Sequence, residues 1–77
     1  MSYVEFNKSI GDRIMMVRIA NHLSRERLAE MADISTKFLY EVENGKKGCS
    51  AYVLYRLATA LGIKSDYVMN GEEELRL

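Results

Sequence analysis

The sequence predicts an all-α fold, a compact bundle of about five helices, from three observations. Apolar residues recur at helical spacing, as in Ile10, Ile14 and Val17, which fall on one helix face. Serines precede several of the apolar segments, and glycines follow their ends. The 77 residues, 48% of them hydrophobic and none of them proline, are enough for one small domain with a packed core.

The first helix is predicted from about Asn7 to Ala20, where Asn21 and His22 mark a break. Residues 1–6 are interpreted as an N-terminal extension. This first helix contributes three residues to the predicted core: Ile10, Ile14 and Val17.

Two short helices are predicted to follow almost end to end. Ser24 is a suitable N-cap for the second helix, because its hydroxyl can accept from a free backbone N–H two or three residues on. Asp33 lies in the turn, and Ser35 is the next cap, opening a third helix that reaches about Glu43. Gly45 can take the left-handed conformation that ends a helix. The inward residues of the pair are Leu28, Ala29, Ala32, Ile34, Phe38, Leu39 and Val42.

Two further helices complete the predicted domain. Ser50 begins the fourth, which Gly62 stops, and the fifth fits residues 65–70 before Gly71. The domain therefore spans residues 7–71, and the acidic segment 72–77 is interpreted as a C-terminal extension. The fourth helix turns four residues inward: Leu54, Leu57, Ala58 and Leu61.

Composition argues against catalytic and metal-dependent functions. The single cysteine, Cys49, excludes a disulfide scaffold and a cysteine-based zinc cluster, and His22 lacks further ligands at suitable spacing. We find no nucleophile–base pair and no phosphate-cradling glycine loop. The expectation is therefore a protein that is not an enzyme, with no metal, no cofactor and no small-molecule substrate.

The sequence also shows no recognisable targeting signal or membrane-spanning segment. Its first residues lack a basic start followed by an apolar run, so no signal peptide is expected. No apolar stretch approaches the roughly 20 residues that span a bilayer. We therefore expect a soluble cytoplasmic protein with no membrane partner.

Two helices joined by a turn of about three or four residues are typical of a helix-turn-helix. The second helix of such a pair fits the major groove of DNA, with an apolar inner face and an outer face of donors and acceptors. In this chain the outer face of the third helix consists of Thr36, Lys37, Tyr40 and Glu41.

At this point the sequence resembles a known family, the phage repressor and Cro-type (XRE-family) helix-turn-helix domain, which has a lambda-repressor-like fold. The stretches that match are "IGDRIMMVR", "LSRERLAEMADIS", "FLYEVENGK" and "LYRLATALGIKSDYVMNG", in the family's order and spacing. The chain departs from the family where His22 replaces glycine, Arg25 replaces glutamine and Cys49 replaces proline. The resemblance implies binding to a double-stranded DNA operator as a homodimer.

Within that resemblance, the outer face implies base contacts by Thr36, Lys37, Tyr40 and Glu41. Lys37 could donate to guanine and Glu41 accept from cytosine, or the two could simply form a surface ion pair. Tyr40 could contact a thymine methyl with its ring, bond a phosphate with its hydroxyl, or remain a surface residue.

Phosphate contacts are expected from four residues around the third helix: Arg25, Ser35, Lys46 and Lys47. A phosphate could dock at the start of the second helix, where its free N–H groups and Arg25 face it. The alternative for these cations is plain solvation. Arg18 and Glu43 each border an inward helix face, and the resemblance implies that they pair with each other as a structural ion pair.

The function expected is that of a sequence-specific DNA-binding transcriptional regulator, most simply a repressor, which places its third helix in the major groove. The alternative is a protein-interaction module that keeps the fold but binds DNA weakly. A formal net charge of zero favours this alternative, because nucleic-acid-binding domains are usually basic.

Overall fold

Five helices joined by short turns make up the described part of the chain. The computed structural model describes residues 1–71, which form α1 (Tyr3–Ala20), α2 (Arg25–Ala32), α3 (Thr36–Glu43), α4 (Ala51–Leu61) and α5 (Ser65–Asn70). The all-α prediction is confirmed. Over these residues the chain contains no helix with the length and apolar character that crossing a bilayer requires.

Serine caps begin three of the helices as predicted. The hydroxyls of Ser24, Ser35 and Ser50 each accept from the backbone N–H three residues on, at 3.0, 3.0 and 3.2 Å. Each cap satisfies one N–H at a helix end that has no partner within the helix, which contributes about 1 kcal/mol. These caps therefore set where α2, α3 and α4 begin.

Helix α1 begins earlier than the sequence predicted. Ser2 caps it, because the Ser2 hydroxyl accepts from the Glu5 backbone N–H and the Glu5 carboxylate accepts from the Ser2 backbone N–H, both at 3.1 Å. This reciprocal pair is a capping box. The predicted start at Asn7 is wrong, because residues 3–6 already belong to α1. The predicted extension 72–77 lies outside the described residues.

The core lies where the helices meet, and it contains most of the predicted inward residues. Ile34 and Phe38, expected to be buried, are only half-buried at the edge of this core. The buried apolar residues are Ile10, Ile14, Val17, Leu28, Ala29, Ala32, Leu39, Val42, Leu54, Leu57, Ala58, Leu61, Ile63 and Val68.

A close approach between two backbones sets how α3 lies against α1. A Cβ atom built on Gly11 would stand 2.2 Å from the carbonyl oxygen of Val42 and 2.8 Å from that of Glu43. No side chain fits there, so glycine lets the end of α3 rest directly on α1. Helix α1 is therefore the support beneath the C-terminal half of α3.

The turn between α2 and α3 is held from outside the pair. Asp33 adopts the left-handed conformation with φ of 56° and ends α2. Its carbonyl oxygen accepts from Arg56 Nη2 of α4 at 2.8 Å, and its carboxylate lies 3.2 Å from the same nitrogen. Helix α4 thereby stabilises the turn that sets the angle between α2 and α3.

Candidate nucleic-acid interface

Helix α3 presents its predicted polar residues outward. Leu39 and Val42 are buried on its inner side, whereas Thr36 and Lys37 are exposed and Tyr40 is 43% exposed. Within residues 1–71, the side chains of Thr36 and Lys37 have no hydrogen-bond or ion-pair partner. The outer face thus offers a hydroxyl and an ammonium group to an incoming molecule.

Glu41 is less free than these two neighbours. Its carboxylate lies 3.4 Å from Lys47 Nζ, and its side chain is only 20% exposed. The carbonyl oxygen of Glu41 also accepts from the Lys46 backbone N–H at 2.9 Å. Among the described residues, Glu41 therefore pairs with Lys47 beyond the helix end, and not with Lys37 as the surface-pair alternative expected.

The loop after α3 carries two lysines with different surroundings. Lys47 is 56% exposed but shares its charge with Glu41. Lys46 is exposed, and within residues 1–71 no carboxylate lies within ion-pair distance of it. Of the two expected phosphate contacts, Lys46 has the more available charge.

Behind the outer face, Arg18 and Glu43 form the ion pair that the resemblance implied. Arg18 Nε donates to Glu43 Oε2 at 2.7 Å, and Arg18 Nη2 donates to Oε1 at 3.1 Å. Arg18 Nη1 also donates to the Leu23 carbonyl oxygen at 3.0 Å. The carboxylate of Glu43 is fully buried, so this two-pronged contact joins α1 to the last residue of α3 in a low-dielectric setting.

Arg25 has an additional partner that sequence reasoning missed. Its Nε donates to Glu43 Oε1 at 3.0 Å, so one carboxylate holds two guanidinium groups. The remaining Nη groups of Arg25 make no hydrogen bond within residues 1–71, and the side chain is 31% exposed. Arg25 is thus anchored inward through one nitrogen while the others stay available for a phosphate.

Tyr40 lies between elements rather than alone on its helix. The guanidinium carbon of Arg25 lies over its ring at 5.3 Å from the centroid, and Lys46 Nζ at 5.5 Å. Such cation–π distances are attractive. The ring therefore contacts the start of α2 and the loop after α3 together.

Three further side chains, those of Ser35, Arg27 and Cys49, have local surroundings of their own. Ser35 is exposed, and its hydroxyl serves as the cap of α3. Arg27 pairs with Glu30 on α2. Burial raises the pKa of the Cys49 thiol, which keeps it protonated at neutral pH. Over residues 1–71, His, Cys, Asp and Glu nowhere gather into a group of three that could hold a metal ion.

Comparison with known proteins agrees with this geometry. A family model described as "Helix-turn-helix domain" matches residues 11–74. An HTH-type transcriptional regulator of Rickettsia prowazekii (strain Madrid E) is 37% identical over 65 residues, which are 84% of this chain and 50% of that protein. The immunity repressor protein of Bacillus phage phi105 is 34% identical over 67 residues, or 87% of this chain and 46% of that protein. The chain thus spans about half the length of the curated relatives it matches.

Solved structures show the same fold. The restriction-modification controller protein C.AhdI from Aeromonas hydrophila matches with a TM-score of 0.78 at 31% identity, over 80% of this chain and 94% of that one. The clp gene regulator ClgR from Corynebacterium glutamicum matches with a TM-score of 0.80 at 27% identity, over 82% and 67% of the two chains. The P22 c2 repressor in complex with a synthetic operator shares the fold, with a TM-score of 0.78 at 24% identity over 82% of this chain and 96% of that one.

The resemblance read from the sequence is confirmed by these matches and by the five-helix architecture. With a family model covering most of its length, this chain belongs to the helix-turn-helix domain family, and its fold is that of the phage repressor and Cro-type members.

Proposed function

We propose that this chain is a sequence-specific DNA-binding transcriptional regulator, most simply a repressor, whose α3 enters the major groove. The observation that carries the proposal is the outward face of α3, where Thr36 and Lys37 are exposed and have no partner within residues 1–71. A helix with such a face, held on a rigid support, fits a groove about 12 Å wide. Relatives named as transcriptional regulators and as a phage immunity repressor support the same reading.

In this proposal, contacts divide into reading and positioning. The side chains expected over base edges are those of Thr36, Lys37, Tyr40 and Glu41. Lys37 donates to guanine O6 or N7, whereas Glu41, held by Lys47, discriminates against wrong sequences by repulsion.

Positioning on the backbone falls to Arg25, Ser35, Lys46 and Lys47, whose phosphate contacts set register without reading sequence. Arg25 is anchored by Glu43, and Lys46 carries the freer of the two loop charges. A backbone contact of this kind weakens binding to every sequence alike when it is lost.

The proposed assembly is a homodimer on DNA. Dimers of this fold class meet half-sites about one helical turn, near 34 Å, apart. An apolar groove of about 290 Å³ between α1, α4 and α5, with Met16, Leu61 and Tyr67 in its lining, offers surface for a second copy. Met16 itself is 64% exposed, and a second copy seated in this groove would cover it.

A protein-interaction module is the second candidate, and the net charge of zero is the observation that favours it. The salt dependence of DNA binding distinguishes the two functions. A regulator making several phosphate contacts loses orders of magnitude in DNA affinity between low and moderate salt. Retention of no duplex at low salt would support the interaction module.

Selection of bound duplexes from a random pool tests the proposal directly, because it reports binding, site sequence and half-site symmetry together. On the selected site, Lys37→Ala should relax preference at one base position, whereas Lys46→Ala should weaken all sequences alike and lower the salt slope by about one. Equal, sequence-blind losses from both variants would remove Lys37 from the reading role.

A further inference from the structure

Tyr40 differs from its neighbours on the outer face of α3 in what surrounds it. Thr36 and Lys37 have no partner within residues 1–71, whereas two cationic groups, from Arg25 and Lys46, lie over the Tyr40 ring at 5.3 and 5.5 Å. The three residues come from the first residue of α2, the middle of α3 and the loop beyond it. One ring is therefore the common contact of two cations far apart in sequence.

Both cations keep charge to spare while they contact this ring. Arg25 uses Nε for Glu43, and its Nη groups have no partner within residues 1–71. Lys46 has no carboxylate near it in the same range, and its backbone is fixed by the 2.9 Å hydrogen bond to Glu41. Two cations that contact one aromatic ring attract a phosphodiester, since each of them favours its negative charge.

We propose that Tyr40 acts by fixing Arg25 and Lys46 as one phosphate-binding unit, and not by reading a base. This inference rests on the proposed DNA-binding function and changes the expected role of one residue in it. The ring holds the two cations through cation–π contacts before DNA arrives, which reduces the side-chain entropy lost on binding. Base reading then rests on Thr36, Lys37 and Glu41.

The first test needs no DNA. In proton NMR spectra of the free chain, the ring current of Tyr40 should shift the side-chain methylenes of Arg25 and Lys46 upfield. Tyr40→Phe should keep these shifts, and Tyr40→Leu should abolish them. The methylenes of Lys37, whose ammonium does not lie over the ring, are the matched control and should not respond. Ordinary shifts for Arg25 and Lys46 in the wild-type chain would overturn the inference.

The second test uses the selected duplex and its single-base-pair variants, with circular dichroism to verify that each variant is folded. Tyr40→Phe should bind like the wild type. Tyr40→Leu should weaken binding to every duplex by about fivefold and leave the ratios between duplexes unchanged. In a Lys46→Ala background, Tyr40→Leu should cost less, because one of the cations it fixes is already gone.

A changed preference at one base pair in Tyr40→Leu, or unchanged affinity, would overturn the phosphate role. The proposed DNA-binding function and the inference about Tyr40 would be contradicted by different results. If the wild-type chain binds no duplex at low salt, the proposed function falls and the phosphate role with it, whatever the ring shifts show. If it binds DNA but the ring shifts are missing, only the inference about Tyr40 falls.

Discussion

At the scale of single residues, the carboxylate of Glu43 concentrates the most interactions. It is fully buried and accepts three N–H groups, two from Arg18 and one from Arg25. Two positive charges thus surround one negative charge next to the proposed DNA face. Removing this carboxylate leaves both guanidinium groups without a counter-charge, and the more deeply buried of them cannot turn to water.

We expect Glu43→Gln to lower the free energy of unfolding by about 3 kcal/mol, because Arg18, whose side chain is only 10% exposed, keeps its charge and loses its partner. Urea denaturation measures this. Glu41→Gln on the same helix is the matched control. Its ion pair is at the surface, so it should change stability by less than about 1 kcal/mol. Equal effects from the two variants would contradict a structural role for Glu43.

His22 stands in a backbone conformation that suits glycine. Its φ is 58°, in the left-handed region that glycine adopts without a Cβ penalty. We expect His22→Gly to raise the free energy of unfolding by about 0.5–1 kcal/mol, because glycine adopts this conformation without strain. His22→Ala removes the imidazole but keeps the strain, so thermal unfolding should show no gain. Equal stabilisation by both would assign the effect to the ring.

Whether the role of a residue could be predicted from the sequence depends on whether its partner lies nearby in the chain. A hydroxyl that caps a helix acts on the N–H three residues on, so Ser24, Ser35 and Ser50 were predictable from their neighbours. The contact between Arg25 and Glu43 joins residues on different helices, and no spacing rule reports it. The contacts of Arg25 and Lys46 with the Tyr40 ring were not predicted for the same reason.

At the scale of elements, α2 to α5 begin and end close to the predicted residues, and only the start of α1 differs. The apolar periodicity that predicted α1 begins at Ile10, because Tyr3 and Val4 are exposed at 72% and 69% and belong to no inward stripe. The signal for the true start was present as a serine followed three residues later by a glutamate. Capping chemistry, rather than hydrophobic spacing, marks this end.

The same cap makes the stability of α1 depend on pH. The Ser2 backbone N–H, and then the Ser2 hydroxyl, hold the pKa of Glu5 below its ordinary value of 4.5. A lowered pKa in the folded state adds stability above the ordinary pKa, and this stability is lost as the pH falls through the lowered value. The Tm advantage of the wild type over Glu5→Gln should therefore be present at neutral pH and shrink as the pH falls below 4.5. A difference that is constant with pH would contradict this.

At the scale of the whole molecule, zero net charge hides an uneven distribution. The chain has 11 basic and 11 acidic residues, yet folding brings Arg25, Lys37 and Lys46 to one side, around α3. Sequence order alone did not show this, since these residues come from three different segments; the family resemblance implied it for Arg25 and Lys46. Nor did it show that Gly11 sets the α1–α3 contact, because a glycine inside a helix resembles any other small residue until the facing backbone is known.

The proposed dimer predicts a strict spacing requirement on DNA. Half-sites about one turn apart place two copies on the same side of the duplex. Inserting about five base pairs between the selected half-sites rotates one copy to the opposite side, so affinity should fall to that of a single half-site. Gel-shift titration measures this, with a central base substitution of unchanged length as control. Equal affinity with and without the insertion would argue for independent monomers.

The freedom of Thr36 and Lys37 has a consequence for how such a chain diversifies. Neither side chain supports the rest of the molecule within residues 1–71, whereas Leu39, Val42 and Glu43 on the same helix are buried. The residues proposed to read DNA and the residues that maintain the fold thus share one helix of eight residues, with little overlap. In the proposed function, exchanging these two side chains would change the DNA sequence that is bound and leave the melting temperature unchanged.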